Sequence, residues 1–434
     1  MKRLVYDKLL AWKNKSDDKR KPLLLEGARQ VGKSWLLEEL GRNEFDSVAL
    51  INFEEDKQLA TLFDADFDTE RILRSIEIAS GVKLIPGKTL IIFDEIQSVS
   101  RGLLSLKYLY NNAPQYHIAA AGSLLGISLH KEDSFPVGKV EFIDVYPLSF
   151  EEFMMALGKD AMVDSMRNMD WELIKVFREQ YIDLLKQYYF VGGMPEVVAS
   201  YVKEKDFSEV RSIQNDLLRS YDADFSKHPP MEIIPRIKMV WNSIPSQLAK
   251  ENKKFIFNAV KPGGRAKDFE LAIEWLKQAG LLYKITRINN GTLPLDGFED
   301  PDAYKLFTLD IGLLGAQSGL DAKTLIDGNA IFTQYKGALT EQYVLQQLLC
   351  NENIKIHYWT PTTGVAEVDF VVQLNDKVIP IEVKAEENLK AKSLKSFNDK
   401  YKPELSIRTS MSDFRAEKNL TNLPLYAISE LAKL

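Results

Sequence analysis

The sequence predicts an α/β protein that begins with a parallel sheet covered by helices and continues into helical and mixed α/β regions. Three observations support this prediction. Short apolar runs alternate with helical patterns from residue 22 to about 148, a helical stretch follows to about 230, and a second set of strand patterns begins near residue 334. Strands that alternate with helices are typical of a parallel sheet.

The composition is that of an ordinary globular chain. Its 434 residues are 45% hydrophobic and 27% charged, with a net charge of −6. The single cysteine, Cys350, excludes an intramolecular disulfide and any zinc site built from several cysteines. We expect neither a signal peptide nor a membrane span, because no run approaches the roughly 18 apolar residues that a span needs. A cytoplasmic protein without a membrane partner is therefore expected.

The first region contains a short amphipathic helix and five predicted strands. The helix includes Val5, Leu9 and Trp12 and ends in a polar stretch. The predicted strands are 23–26, 47–53, 89–94, 116–121 and 140–145.

A glycine-rich loop joins the first strand to the helix that follows it. Its residues are Gly27, Ala28, Arg29, Gln30, Val31, Gly32, Lys33 and Ser34. Glycines let such a loop curl with its N–H groups turned inward, the lysine reaches the β and γ phosphates of a nucleotide, and the serine hydroxyl binds Mg²⁺. The strand, loop and helix stand in the order that this chemistry requires, so we predict a site for ATP and Mg²⁺.

Two acids follow the third strand, and a serine follows the fourth. In a parallel sheet the carboxyl ends of the strands face the ligand, so Asp94 and Glu95 should lie near the phosphates. Asp94 is suited to bind Mg²⁺, and Glu95 to polarise the attacking water as a catalytic residue together with Lys33. Ser123 is a candidate to sense the γ-phosphate. The alternatives are an acidic strand end that faces solvent and a serine that serves a turn.

These motifs, with the stretch from Tyr146 to Phe153, resemble bacterial and archaeal ATP-binding proteins of the AAA superfamily that carry a C-terminal restriction-endonuclease-like domain. The resemblance covers nearly the whole chain. Many members have Gly-Arg shortly before the Pro-Leu-Ser-Phe stretch, where this chain has Gly138-Lys139. A lysine lacks the planar fork of an arginine, so we assign no arginine finger.

The resemblance and the order of the helix and strand patterns together predict four regions. They are an ATPase core (1–148), a helical lid (149–230), a winged-helix-like domain (231–330) and a restriction-endonuclease-like domain (331–434). The segment Gly192-Gly193-Met194-Pro195 interrupts the lid, either as a hinge or as a turn that joins two helices.

The segment 231–290 is basic, with eleven Lys/Arg against five Asp/Glu. Its pattern predicts a helix over 232–243, a short helix over 244–249, an amphipathic helix over 265–278, and a strand pair at 281–285 and 304–308. That order suits a winged helix whose third helix enters a DNA groove. The candidate phosphate contacts are Lys253, Lys254, Lys261, Arg265, Lys267 and Arg287. The alternative is a solvated basic face.

The last region contains an acid and a Glu-x-Lys pattern on neighbouring strands. Alternation along a strand places Glu382 and Lys384 on one face, and Asp369 on the preceding strand can join them across the hairpin. Restriction-type nucleases use such a set, with Asp369 and Glu382 for Mg²⁺, Lys384 for charge, and Glu341 as a further ligand. The alternative is a cross-strand ion pair. The four histidines at 117, 130, 228 and 357 share no metal-ligand spacing.

Together these patterns predict an ATPase whose nucleotide state controls a winged helix and a nuclease-like domain that act on DNA or another nucleic acid. The rival prediction is an ATP-switched regulatory protein that acts on a protein partner through a catalytically silent nuclease-like domain. An oligomer is compatible with either.

Overall fold

The structure, a computed structural model, describes the chain except for residues 65, 100, 123–135, 228, 251–252, 323–332, 352–353, 362–365 and 386–391. The chain divides into two compact units. The first unit consists of Lys2–Tyr146 with Gln278–Gly280, and the second of Met1, Pro147–Lys277 and Leu281–Leu434.

The first unit is built on a five-stranded parallel sheet. Its strands are β1 (Leu23–Glu26), β2 (Ser47–Asn52), β3 (Thr89–Asp94), β4 (His117–Ala121) and β5 (Glu141–Asp144). Its helices are α1 (Val5–Lys13), α2 (Lys33–Glu44), α3 (Thr69–Ser80) and α4 (Gly102–Asn112), with 3₁₀ turns at Lys57–Thr61 and Ile96–Ser98.

The strand order is β2-β3-β4-β1-β5, and all four pairings are parallel. The predicted parallel sheet is confirmed, and each of its strands lies within two residues of the expected bounds. β1, β3 and β4 are buried along almost their whole length, as central strands covered on both faces must be. This order places β1, with the glycine loop at its end, beside β4 and one strand away from β3.

The second unit contains the remaining helices and a mixed sheet. Its helices are α5 (Phe150–Ala156), α6 (Asp160–Arg167), α7 (Trp171–Val176), α8 (Arg178–Val191), α9 (Pro195–Glu204), α10 (Phe207–Asp224), α11 (Ile234–Leu248), α12 (Phe257–Val260), α13 (Ala266–Gln278), α14 (Ile311–Gln317), α15 (Thr333–Leu349) and α16 (Lys392–Tyr401). Its strands are β6 (Leu282–Ile288), β7 (Glu299–Thr308), β8 (Ile354–Trp359), β9 (Val368–Leu374), β10 (Lys377–Val383), β11 (Ser406–Ser410), β12 (Arg415–Glu417) and β13 (Leu420–Pro424), with 3₁₀ turns at Leu295–Phe298 and Leu425–Lys433.

The mixed sheet has eight strands in the order β12-β13-β11-β10-β9-β8-β6-β7. β8, β9 and β10 are antiparallel neighbours, and β10 then pairs with β11 in parallel. The hairpin of β6 and β7, which the sequence analysis assigns to a wing, forms one edge of this sheet because β6 pairs in parallel with β8. The strands of the basic segment and those of the acidic Glu-x-Lys region therefore belong to one sheet.

The stretch Pro-Leu-Ser-Phe-Glu-Glu-Phe starts α5 with a capping box. The Ser149 hydroxyl accepts the N–H of Glu152 at 3.2 Å, and the Glu152 carboxylate accepts the N–H of Ser149 at 2.8 Å. The Phe150 ring packs against Tyr188 and Tyr343 with centroids 5.7 and 6.1 Å apart. This stretch therefore has a structural role in starting a helix and filling a core.

One helix spans the segment where the sequence analysis expects two. α11 runs through Pro245 without a break. A proline lacks the N–H that would donate to the carbonyl four residues earlier, here that of Trp241. The Gln317 side chain donates to that carbonyl at 3.0 Å instead. The prediction of a helix break near Pro245 is therefore wrong. The side-chain amide of Gln317, distant in sequence, donates the hydrogen bond that the proline cannot.

The segment Gly192-Gly193-Met194-Pro195 is a turn that joins α8 to α9 against a buried acid. Asp310 accepts the Gly193 N–H at 2.6 Å and the Leu313 N–H at 3.0 Å, and so caps α14. A Cβ on Gly193 would lie 2.1 Å from the Leu148 carbonyl oxygen. On the other side, a Cβ on Gly312 would lie 2.5 Å from the carbonyl oxygen of Val191. Only glycines permit this approach of two backbones.

Two glycines of α14 test how much this approach contributes to stability. We expect Gly312→Ala to lower the free energy of unfolding by about 1–3 kcal/mol, because the new methyl meets backbone that cannot give way. A Cβ on Gly315 has no neighbour nearer than the Arg211 guanidinium at 3.9 Å. Gly315→Ala should therefore leave stability unchanged or raise it by up to about 1 kcal/mol. Urea unfolding of both variants measures the difference; equal effects would show that the close approach is unimportant.

Candidate nucleotide site and acid–lysine cluster

The glycine loop lies between Glu26, the last residue of β1, and Lys33, the first of α2. Gly27 has φ of +140°, and a Cβ there would lie 2.2 Å from the Val145 carbonyl oxygen. Gly32 has φ of +95°. Both glycines of the motif are thus required by the backbone, which only glycine follows without strain.

The sides of the loop are held by charged groups. The Arg3 guanidinium donates to the carbonyls of Val31 at 3.0 Å and Tyr146 at 2.7 Å, which ties the loop to the segment after β5. Arg29 lies 3.6 Å from the Glu54 carboxylate. Ala28 and Val31 are buried, and Gln30 has φ of +65°. No sequence signal marks Arg3, because its partners are backbone carbonyls.

Lys33 is turned back onto the loop. Its ammonium donates to the carbonyls of Gly27 at 2.9 Å and Ala28 at 2.7 Å, and the side chain is only 7% exposed. Burial lowers the pKa of Lys33 to about 8, although the nearby charges of Glu95 and Asp94 act in the opposite direction. Among the described residues, the hydrogen-bond partners of this buried ammonium are two neutral carbonyls, which an anion could replace.

Ser34 and Asp94 lie side by side, as predicted. The Ser34 hydroxyl donates to the Asp94 carboxylate at 2.9 Å. Burial raises the pKa of Asp94, and the hydrogen bond from Ser34 partly offsets that rise. A hydroxyl and a carboxylate in contact are two oxygen ligands of the kind that Mg²⁺ takes in nucleotide sites.

Glu95 follows directly, with φ of +50°, and accepts a hydrogen bond from the Gln97 side chain. Ser123 lies outside the described residues. Lys139, to which we assign no role as an arginine finger, lies over the Tyr110 ring at 5.0 Å from its centroid. The roles of Glu95, Ser123 and the loop residues remain predictions.

ATP and Mg²⁺ fit these residues. The loop combines a glycine-permitted curl, a buried ammonium without a carboxylate hydrogen bond, and a serine–aspartate pair at the end of β3. Lys33 and the loop N–H groups would hold phosphates, and Ser34 with Asp94 would hold the metal.

The second unit brings together the four residues of the predicted nuclease-like site. Glu341 lies on α15, Asp369 on β9 and Glu382 on β10, and Lys384 follows β10. The Lys384 ammonium donates to Glu382 at 2.6 Å, and Asp369 accepts the Val383 N–H at 2.7 Å. Burial raises the pKa of Asp369, and the negative charges of Glu341 and Glu382 raise it further.

Three residues that the sequence analysis did not assign to this site complete an acid–lysine cluster. The cluster comprises Glu341, Glu367, Asp369, Glu382, Lys253, Lys305 and Lys384. Lys305, on β7, is 0% exposed, and its ammonium lies 2.5 Å from Glu367 and 3.6 Å from Glu341. Lys253 forms an ion pair with the other oxygen of Glu341. Burial alone would raise the pKa of Glu341, but Lys253 and Lys305 outweigh it and hold that pKa below its ordinary value.

The six basic residues predicted to contact DNA have different surroundings. Lys253 belongs to the acid–lysine cluster, and Arg287 pairs with Asp300 and donates to Thr360. Lys254 is half-buried. The remaining three, Lys261, Arg265 and Lys267, are exposed at or just before the start of α13. A DNA-binding role remains a prediction that now depends on those three.

His357 is brought to two acids despite the absence of a ligand pattern in the sequence. It is 4% exposed, and its ring nitrogens lie 3.2 Å from Asp296 and 3.4 Å from Glu299. Lys355 also pairs with Asp296. His117 is packed between the rings of Trp12 and Phe45. His130 and His228 lie outside the described residues.

Comparisons with known families place an AAA domain at residues 19–154. Residues 182–324 match a domain of unknown function (DUF8612), and residues 336–428 match another (DUF4143). The region that holds the parallel sheet and the glycine loop is thus similar to the AAA domain of ATPases. A restriction-endonuclease-like domain was expected where DUF4143 matches, and no family match establishes it.

The uncharacterized protein MJ1637 of Methanocaldococcus jannaschii is 26% identical over 210 residues, which are 45% of this chain and 42% of that protein. The Walker-type ATPase paby2304 of Pyrococcus abyssi is similar in structure, with a TM-score of 0.46 and 16% identity over 73% of this chain and 95% of that one. AMPPCP-bound DnaA from Aquifex aeolicus gives a TM-score of 0.29 and 14% identity over 64% of this chain and 87% of that one. These structural likenesses are too low to carry a functional argument.

Within the described residues, the structure contains no helix that combines the length and the apolar character of a membrane span.

Glu26 gives the loop region a pH dependence. It pairs in register with Asp144 on β5, and burial together with that negative charge raises the pKa of Glu26 from 4.5 to about 7. Between these pH values the folded state keeps a proton that the unfolded chain has lost, so stability falls as pH rises.

We expect the melting temperature of the wild type to fall between pH 5 and pH 8 more steeply than that of Glu26→Gln, whose side chain cannot ionise. Thermal unfolding at several pH values tests this, with Glu70→Gln, an exposed acid on α3, as the control. Parallel curves for wild type and Glu26→Gln would show that Glu26 does not contribute.

Proposed function

We propose that the protein is an ATPase that binds ATP with Mg²⁺ at the glycine loop and hydrolyses it with Glu95. The observation that carries this proposal is the contact of Ser34 with Asp94 at 2.9 Å, beside a buried Lys33. Matching of residues 19–154 to an AAA domain supports the same reading.

Each residue has a distinct role in this proposal. Lys33 leaves the carbonyls of Gly27 and Ala28 and pairs with the β and γ phosphates. Ser34 and Asp94 hold Mg²⁺, which when bound neutralises charge on the phosphates. Glu95, oriented by Gln97, accepts a proton from the water that attacks the γ-phosphate.

Two substitutions separate binding from hydrolysis. Lys33→Ala should abolish ATP binding, because the loop loses its only ammonium. Glu95→Gln should bind ATP normally and lose hydrolysis by roughly 10²-fold or more, because an amide cannot take the proton. Isothermal titration and a phosphate-release assay measure the two steps, with Glu70→Gln as the control. Normal turnover in Glu95→Gln would remove that residue from the mechanism.

We further propose that the nucleotide state controls the second unit, which acts on nucleic acid. The net positive charge of residues 231–290 and the exposure of Lys261, Arg265 and Lys267 support this. The second candidate is a regulatory protein that is switched by ATP and acts on a protein partner. It is favoured by the acid–lysine cluster, in which Glu341, Glu367 and Glu382 already have cationic partners.

The salt dependence of DNA affinity distinguishes action on nucleic acid from action on a protein partner. If the start of α13 contacts phosphates, Arg265→Ala with Lys267→Ala should weaken binding and reduce the slope of log affinity against log salt by about 2. Fluorescence anisotropy with duplex DNA measures this, with Lys277→Ala, at the other end of α13, as the matched control. A slope that is unchanged by the double substitution would favour the protein-partner alternative.

A further inference from the structure

Lys305 stands among the acids that a nuclease of this type would use to hold its metal. The side chain is fully buried, and its ammonium lies 2.5 Å from Glu367 and 3.6 Å from Glu341. It also lies 4.9 Å from the centroid of the Tyr358 ring. A buried ammonium is stable only where carboxylates or an aromatic face compensate for lost hydration, and these groups do so.

Three of the four carboxylates of the cluster lie beside ammonium groups of the chain itself. Among the described residues, Glu341 Oε2 and Glu382 Oε2 are buried without a hydrogen-bond partner. Glu341 pairs with Lys253 through Oε1 and with Lys305 through Oε2, so each of its oxygens faces an ammonium. Glu382 accepts from Lys384 at 2.6 Å, and Asp369 accepts a backbone N–H at 2.7 Å. A metal bound through Glu341 would compete with the charges of Lys253 and Lys305 for that carboxylate.

The acids also lack the convergence that a divalent ion requires. Mg²⁺ binds oxygens at about 2.0–2.1 Å in an octahedron, which brings its ligand atoms to within about 3 Å of one another. Among the described residues, the one group of three or more acids, histidines or cysteines whose ligand atoms all lie within 4.8 Å of one another is Asp296, Glu299 and His357. The predicted ligands Glu341, Asp369 and Glu382 do not form such a group.

We propose that Lys305 is the resident cation of the acid–lysine cluster and replaces the divalent metal, so that the cluster binds no Mg²⁺ and cleaves no phosphodiester. The cluster instead joins β7 to α15 and to Glu367, just before β9, through ion pairs of the buried Lys305. The inference concerns the predicted nuclease-like site of the second unit and is independent of the proposed ATP hydrolysis in the first unit.

Titration of the nucleotide-free chain with Mn²⁺, followed by electron paramagnetic resonance, tests the proposal. Wild type and Asp369→Asn should bind Mn²⁺ alike, because the cluster holds none. Lys305→Met, which keeps the length of the stem and removes the charge, should gain one Mn²⁺ site and a melting temperature that rises when Mn²⁺ is added. That site should disappear in Lys305→Met with Glu341→Gln.

Lys284→Met is the matched control, since Lys284 lies over the Tyr304 ring at 4.2 Å and is not part of the cluster. Should Lys305→Met fail to fold, Lys305→Met with Glu367→Gln removes both charges of the pair and takes its place.

Two results would overturn the inference. One is a Mn²⁺ site in the wild type that Asp369→Asn removes. The other is Mg²⁺-dependent cleavage of DNA or RNA by the wild type that Asp369→Asn or Lys384→Ala abolishes. Phosphate release from ATP, measured on the same samples, shows separately whether the ATPase proposal holds.

Discussion

A charged group taken out of water is stable only beside an opposite charge or a hydrogen-bonding partner, and this constraint shapes both units of the protein. In the first unit, the buried ammonium of Lys33 donates hydrogen bonds to two carbonyls of the glycine loop. In the second, Lys305 takes Glu367 and Glu341, and the buried Asp310 takes two backbone N–H groups and the Gln346 amide. Lys33 bonds within its own loop, whereas the pairings of Lys305, and those of Asp310 with Gly193 and Gln346, join segments that are distant in sequence.

The two buried lysines differ in their partners, and this difference distinguishes a ligand site from a structural one. Lys33 holds neutral carbonyls, which a phosphate can replace at a gain in electrostatic energy. Lys305 pairs with the carboxylates of Glu367 and Glu341, so an incoming cation would compete with a positive charge that already lies beside them. The same residue type therefore indicates a site ready for a ligand in one unit and a closed ion-pair network in the other.

The different surroundings of the two lysines support different proposed functions for the two units. Nucleotide chemistry belongs to the parallel sheet, where Ser34 meets Asp94 at the ends of neighbouring elements. The second unit offers exposed cations at the start of α13 and an acid–lysine cluster without convergent metal ligands. These features fit a second unit that binds its partner better than one that cleaves nucleic acid.

The sequence by itself determined the parallel sheet and the nucleotide loop, because both depend on local patterns. Apolar runs, helical periodicity and the spacing of Gly27, Gly32 and Lys33 are written in consecutive residues, and Asp94 follows from the rule that strand ends face the ligand. The grouping of Asp369, Glu382 and Lys384 also followed from strand alternation, whereas Glu341 was added from the resemblance to restriction-type nucleases. Only the tertiary structure decided that Lys305 and Lys253 join that group. It also decided that Gln317 supplies a hydrogen bond that lets α11 continue past Pro245, and that the β6–β7 hairpin forms the edge of a larger sheet. Each of these contacts joins residues that are far apart in the chain. No local pattern shows which distant residues will be buried together, so the sequence alone could not predict these contacts.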